Sequence, residues 1–91
     1  MKLDTSAGDM TAKFVVLADN DPGLCSRVLE LFAKRNLVPL AIQGRRAEDA
    51  IELDVVQDGL DLRLAELIAE GMRACILVRS VDLVMPVGAN L

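Results

Sequence analysis

The chain has no histidine, tryptophan or tyrosine, and its 91 residues include only two phenylalanines and two cysteines. Without histidine it cannot form a Ser-His-Asp set, and a zinc site would lack its usual nitrogen ligands. With so few aromatic rings it offers no platform on which nucleic-acid bases could stack. We therefore expect a protein that is not an enzyme, with no catalytic residues, no metal site and no cofactor.

The sequence also lacks an excess of basic residues and any long apolar run. Its formal net charge is −4 and its pI is about 4.6, whereas nucleic acids and anionic membranes are bound by basic surfaces. No apolar run approaches the roughly 20 residues that span a bilayer. The opening residues, MKLDTSAGDMTA, lack the apolar segment of a secretory signal. We expect a cytoplasmic protein with neither a nucleic-acid nor a membrane partner.

Apolar residues, in contrast, are abundant, at 53% of the chain, and charged residues make up 26%. This composition is typical of a folded protein, and the length suits one domain. We place a flexible arm at residues 1–11, the domain at 12–86 and a short tail at 87–91. Cys25 and Cys75 are expected to be buried, reduced thiols.

Four short segments have the pattern of β-strands. Lys13 to Ala18, KFVVLA, is apolar without alternation, which favours a central strand paired on both sides. Val38 to Arg46 alternates but contains Pro39, which favours a sheet edge. Ala50 to Gln57 alternates cleanly, so one face of the sheet is exposed to water. Val78 to Met85 is the last predicted strand.

The first helix follows the turn in LADNDPGLCSRVLELFAKR. Asp21 is the predicted N-cap and Pro22 the first helical residue. Asn36 is expected to end the helix in a left-handed conformation. The apolar residues share one helical face: Leu24, Cys25, Val28, Leu31 and Phe32.

The second helix is predicted from Leu60 to Cys75. Its apolar face comprises Leu64, Leu67, Ile68, Met72 and Cys75. Gly71 within it costs about 1 kcal/mol relative to alanine. A shorter helix that ends at Gly71, followed by a longer last strand, remains an alternative.

The element order β-α-β-β-α-β predicts an α+β protein with the ferredoxin-like split βαβ fold. In this fold two helices cover one face of a single four-stranded antiparallel sheet. The edge strand from Val38 to Arg46 invites pairing with another strand, so we expect a homodimer joined along this edge.

The turn before the first helix is the candidate binding site. The backbone N–H groups of Gly23 and Leu24 are predicted to be free at the positive end of the helix dipole, where they could bind a carboxylate. Asp19, Asn20 and Asp21 surround them and could receive an ammonium group. A free amino acid carries both groups. The alternative is that Asp21 only caps the helix and nothing binds.

The stretch FVVLADNDPGLCSRVLELFAKRNLVPLAIQGRR, followed by RSVDLV, resembles an ACT domain, a ferredoxin-like module that binds amino acids and regulates metabolic enzymes. The most specific part is Asn20 to Phe32, an N-x-x-G-x-L/C-S-R-V-x-x-L-F pattern. The nearest resemblance is to the single-domain small regulatory subunit of acetolactate synthase. Val38 stands where that family commonly has a second asparagine that reaches the effector of the partner subunit. The resemblance implies these effector-binding positions: Asn20, Asp21, Pro22, Gly23, Leu24 and Val38.

The resemblance thus implies a regulatory subunit without catalytic activity. It would dimerise, bind a small amino acid at the first β-α turn and modulate a separate catalytic subunit. That partner would be acetolactate synthase, in branched-chain amino acid biosynthesis. The alternative function is a ligand-free ACT-like module for dimerisation or interaction.

Overall fold

The computed structural model describes residues 10–87, which form four strands and two helices in the predicted order. The elements are β1 Met10–Asp19, α1 Leu24–Ala33, β2 Ala41–Arg46, β3 Ala50–Leu60, α2 Leu62–Arg73 and β4 Val78–Val84. The strands form one sheet in the order β2-β3-β1-β4, and every neighbouring pair is antiparallel. The predicted ferredoxin-like fold is confirmed. Within this range no helix is both long enough and apolar enough to cross a membrane.

β1 occupies the centre of the sheet, as its sequence predicts, because it pairs with β3 on one side and β4 on the other. Every second side chain along it is completely buried between the sheet and the helices: Ala12, Phe14, Val16 and Ala18. The residues between them face the other side of the sheet, where Leu17 is 40% exposed. β1 therefore supports the core with one face only.

Two strand starts differ from the prediction. β1 begins at Met10, so Met10 and Thr11 belong to the strand rather than to the predicted arm; residues 1–9 and 88–91 lie outside the described residues. β2 begins at Ala41 rather than Val38. Pro39 has no N–H to donate, so the residues before Leu40 approach the sheet without joining its ladder.

β3 continues past the predicted end at Gln57 and reaches Leu60. The strand register with β1 shifts between the pairs Ala12–Gln57 and Met10–Leu60, so β3 contains one extra residue there. Gly59, with a φ of 70°, adopts the left-handed conformation that such a bulge requires. Asp58-Gly59 was predicted to break the strand, but it only bends it.

Two predictions about the helices are tested by a single residue each, Asn36 after α1 and Gly71 within α2. Asn36 has a φ of 62°, which confirms its predicted left-handed conformation after α1. α2 continues through Gly71 to Arg73, so the shorter alternative is wrong. A Cβ at Gly71 would lie 3.0 Å from Leu31 Cδ2 on α1. Glycine is used here because the two helices approach closely.

The core joins both helices to the sheet, and the Phe14 and Phe32 rings meet edge to face with their centroids 5.5 Å apart. The predicted helix faces were partly wrong: Cys25 is exposed, Cys75 only half-buried, and Leu67 is 50% exposed. On α2 the buried face consists of Ala65, Ile68, Ala69 and Met72. The buried face of α2 is therefore rotated away from Leu67 and towards the two alanines.

Candidate functional site

The turn between β1 and α1 differs from the predicted helix start. α1 begins at Leu24, its N-cap residue is Gly23, and no side chain caps it. Asp21 is therefore not the N-cap, and Pro22 precedes the helix rather than opening it. The Asp-Pro-Gly sequence forms a separate turn before the first helical residue.

Asp21 instead accepts hydrogen bonds within the turn of which it is part. Its Oδ1 accepts a hydrogen bond of 2.8 Å from the Gly23 N–H, and its carbonyl oxygen accepts one of 3.0 Å from the Leu24 N–H. Aspartate commonly bonds the backbone two residues further on in this way. The two N–H groups predicted to be free for a ligand carboxylate are thus occupied.

The backbone N–H groups that remain free are those of the next two residues in α1. Among residues 10–87, no acceptor contacts the N–H groups of Cys25 and Ser26, the second and third residues of α1. The Ser26 hydroxyl donates to the Gly23 carbonyl at 3.3 Å. The positive end of the α1 dipole therefore remains open at its first turn.

Arg79 on β4 fixes the entrance to this turn. Its Nε donates to Asp19 Oδ1 at 2.8 Å, and its Nη2 donates to the Asp49 carbonyl at 3.0 Å. The Asp19 N–H also donates to the Leu77 carbonyl at 2.8 Å. Asp19 is thus paired, which leaves Asn20 and Asp21 to receive an ammonium group.

Val38 lies far from the other predicted effector positions. Its carbonyl accepts a hydrogen bond of 3.2 Å from Gln57 Nε2, and Gln57 pairs with Ala12 near the start of β1. The candidate turn follows Asp19 at the other end of β1. At about 3.4 Å per residue, the two ends are roughly 24 Å apart. The structure therefore brings Asn20 to Leu24 together but does not bring Val38 to them within one chain.

β2 forms a free edge of the sheet, as the proline predicted. All six of its residues are exposed. The apolar side chains along and before it are also exposed, with Val38 at 82%, Leu40 at 61% and Ile42 at 46%. Arg45 Nη2 donates to Glu52 Oε1 at 2.8 Å, and this hydrogen bond with its charge attraction raises the pKa of Arg45. The edge combines unpaired backbone with exposed apolar area, the two properties that promote strand pairing.

The sheet order, the two helices on one face and the turn after the first strand define an ACT-like module. A family model described as an ACT-like domain matches residues 5–88, so the chain belongs to this family. Its members are generally regulatory, ligand-binding modules without catalytic activity. Among residues 10–87 there is no cluster of three or more metal-ligating side chains.

Solved structures support the same fold. The chain is similar to the ACT domain of GTP pyrophosphokinase from Chlorobium tepidum, with a TM-score of 0.73, 10% identity, and coverage of 84% of this chain and 99% of that one. It is also similar to the C-terminal domain of the MgtC protein from Mycobacterium tuberculosis, with a TM-score of 0.68, 11% identity, and coverage of 90% and 93%. These identities support the fold alone. No curated protein matches the chain significantly.

Proposed function

We propose that the chain is a cytoplasmic regulatory subunit that forms a homodimer through β2 and modulates a separate catalytic chain. The observation that carries this proposal is the β2 strand, whose six residues are all exposed, with Leu40 and Ile42 beside the backbone edge that faces away from β3. A second copy would extend the sheet across a two-fold axis, satisfy the backbone groups and bury the apolar side chains.

This dimer also explains how Val38 could belong to the site. Two β2 strands paired antiparallel place the start of one beside the end of the other. β2 ends at Arg46, opposite Ile51, and β1 reaches the same end of the sheet at Asp19, opposite Ala50. Val38 of the second copy would then lie at the end of the sheet that carries the candidate turn.

Ile42→Lys tests the dimer, with Ile76→Lys as the matched control. Lysine on an edge strand opposes pairing, whereas Ile76 is 88% exposed in the connection between α2 and β4. In sedimentation at micromolar concentration we expect a dimer for the parent and the control, and a shift towards monomer for Ile42→Lys. A monomeric parent would refute the dimer, and equal dissociation of both variants would refute the assignment to β2.

For the effector we propose a small amino acid at the β1–α1 turn. Its carboxylate would replace Asp21 Oδ1 on the Gly23 N–H and approach the free N–H groups of Cys25 and Ser26. Asn20 and the displaced Asp21 would receive its ammonium group. The free donors at the start of α1 support this arrangement.

Gly23→Val tests the effector. A Cβ at Gly23 would lie 3.2 Å from Asp21 Oδ1, in the space that the ligand carboxylate needs, while the φ of −86° suits any residue. Calorimetric titration with valine, leucine, isoleucine and serine should detect binding to the parent and none to Gly23→Val. Because Val38 replaces the asparagine of the resembled family, we expect weak or absent valine binding and look first to the other amino acids.

A ligand-free interaction module is the second candidate, and the Asp21 hydrogen bond to Gly23 favours it. The turn needs no ligand if its own carboxylate already satisfies these donors. If none of the four amino acids binds the parent below millimolar concentration, this candidate replaces the sensor while the dimer proposal stands.

For the catalytic partner we propose acetolactate synthase, of branched-chain amino acid biosynthesis. Only the resemblance of Asn20 to Phe32 supports this choice. Co-expression with the acetolactate synthase catalytic chain of the same organism should yield a complex that survives size-exclusion chromatography and changes the enzyme's rate. Failure to form a complex would refute this partner but not the fold or the dimer.

A further inference from the structure

The second edge of the sheet, β4, differs from β2 because a side chain reaches its backbone. Arg73, the last residue of α2, donates from Nη2 to the Val81 carbonyl in the middle of β4 at 2.8 Å. Its other terminal nitrogen, Nη1, lies 3.4 Å from Glu70 Oε2 on the same helix. The guanidinium therefore connects the end of α2 to the strand.

The Val81 carbonyl points away from the sheet. In an antiparallel ladder a residue directs its N–H and C=O to the same side, and successive residues alternate. Because the Asp19 N–H donates to Leu77 on the β4 side, the backbone N–H and C=O groups of Leu17 and Val15 in β1 also point to β4. The backbone groups of their partners, Ser80 and Asp82, must then point to β1. Those of Val81, the residue between them, point outward from the edge of the sheet.

Arg73 consequently occupies an acceptor that an incoming strand would need. The positive charge of Arg73 also lies at this edge, where the side chain is 45% exposed. β2 has no equivalent: among residues 10–87, no side chain donates a hydrogen bond to a carbonyl of residues 41–46. The two edges are therefore protected unequally against strand pairing.

We propose that Arg73 closes β4 to strand pairing with a second copy of the chain and thereby restricts assembly to β2. The inference deepens the proposed dimer, since it specifies why one edge pairs and the other does not. If both edges paired, each through its own two-fold axis, the sheet could continue from copy to copy without closing. Arg73 thus makes assembly stop at two chains.

Arg73→Ala tests this role, and Arg63→Ala is its matched control. Arg63 is exposed on the same helix and lines the same groove beside β4, but within residues 10–87 only Arg73 donates to the Val81 carbonyl, so removing Arg63 changes the net charge equally without freeing that acceptor. We expect sedimentation of the parent and Arg63→Ala to show one species, and Arg73→Ala to form species of twice that mass and larger as concentration rises. Hydrogen exchange at the Val81 and Leu83 amides should slow in the larger species.

The outcome separates this inference from the proposed dimer. If the parent is a monomer, the β2 dimer fails, but Arg73→Ala should still double in mass through β4. If Arg73→Ala keeps the parent's mass at every concentration, or if Arg63→Ala associates equally, the role assigned to Arg73 is overturned. Arg73→Gln, which keeps a polar side chain but is shorter and uncharged, provides a second variant with the same expected shift.

Discussion

The two helices of the chain are of similar length but begin and pack differently. α1 presents large side chains to the core, Leu24, Val28 and Phe32, whereas α2 presents Ala65 and Ala69 among its buried residues. α2 begins with Asp61, whose Oδ1 accepts from the Leu64 N–H at 2.7 Å. α1 begins with Gly23 and has no side-chain cap.

The difference lies in which group holds the first turn, not in the number of free donors. Among residues 10–87 each helix has two first-turn N–H groups without an acceptor, those of Cys25 and Ser26 on α1 and of Leu62 and Arg63 on α2. The Asp61 carboxylate occupies a donor in the first turn of α2, so that end has a structural role. At α1 the nearest carboxylate, Asp21, binds the turn before the helix and leaves the following donors free. α1, which has no side-chain cap, is held instead by its buried side chains, Leu24, Val28 and Phe32.

Phe32→Ala should produce the largest effect, because Phe32 is fully buried and contacts Phe14. We expect a loss of about 3–5 kcal/mol in the free energy of unfolding, from lost transfer energy and the cavity left behind. In a domain of this size that loss could abolish folding at ambient temperature. Urea denaturation followed by circular dichroism measures it.

Leu67→Ala is the matched control on α2. The sequence placed Leu67 on the apolar face, but it is 50% exposed, so its loss should cost far less than that of Phe32. A loss at Leu67 equal to that at Phe32 would contradict the orientation of α2 found here.

Gly71→Val should destabilise the contact between the helices by about 1–3 kcal/mol, because a Cβ there already lies 3.0 Å from Leu31 Cδ2. For Gly71→Ala the gain of about 1 kcal/mol in helix propensity opposes the tight contact, and we expect a smaller change. Glu66→Val, at an exposed position of the same helix, controls for the β-branched side chain. Similar losses for both valine variants would show that the helices do not meet at Gly71.

Much of the fold could be predicted because its signals are local. The apolar run of β1 predicts its central position, and Pro39 predicts that β2 lies at an edge. The alternation along β3 predicts that one face of the sheet is exposed to water. The bulge at Gly59 escaped prediction, since a glycine that breaks a strand and one that bends it look alike in sequence. The rotation of α2 also escaped, because small residues such as Ala65 carry a weak hydrophobic signal although they set the distance of closest packing.

The turn that carries the candidate site was predicted in place but not in detail. The sequence located the turn at Asn20 to Gly23, yet it could not show whether Asp21 would bond to the first helical turn or to the turn before it. An aspartate can form either hydrogen bond through local contacts. The two helix starts that result differ by only two residues, because the N-cap is Asp21 in one and Gly23 in the other. The pairing of Arg79 with Asp19 depends on the adjacency of β4 and β1, which becomes available only once the sheet order is known.

The smallest effects should come from the aspartates near the two helix starts. Asp61→Ala removes a true N-cap and should cost about 0.5–2 kcal/mol of stability. Asp21→Ala removes one exposed hydrogen bond to Gly23 and should cost less, on the order of 0.5 kcal/mol. Urea denaturation without added ligand measures both losses, with each midpoint converted to a free energy of unfolding at a common m-value. If Asp21→Ala proved as costly as Asp61→Ala, the turn before α1 would contribute as much to stability as the cap of α2, and the contrast between the two helix starts would fail.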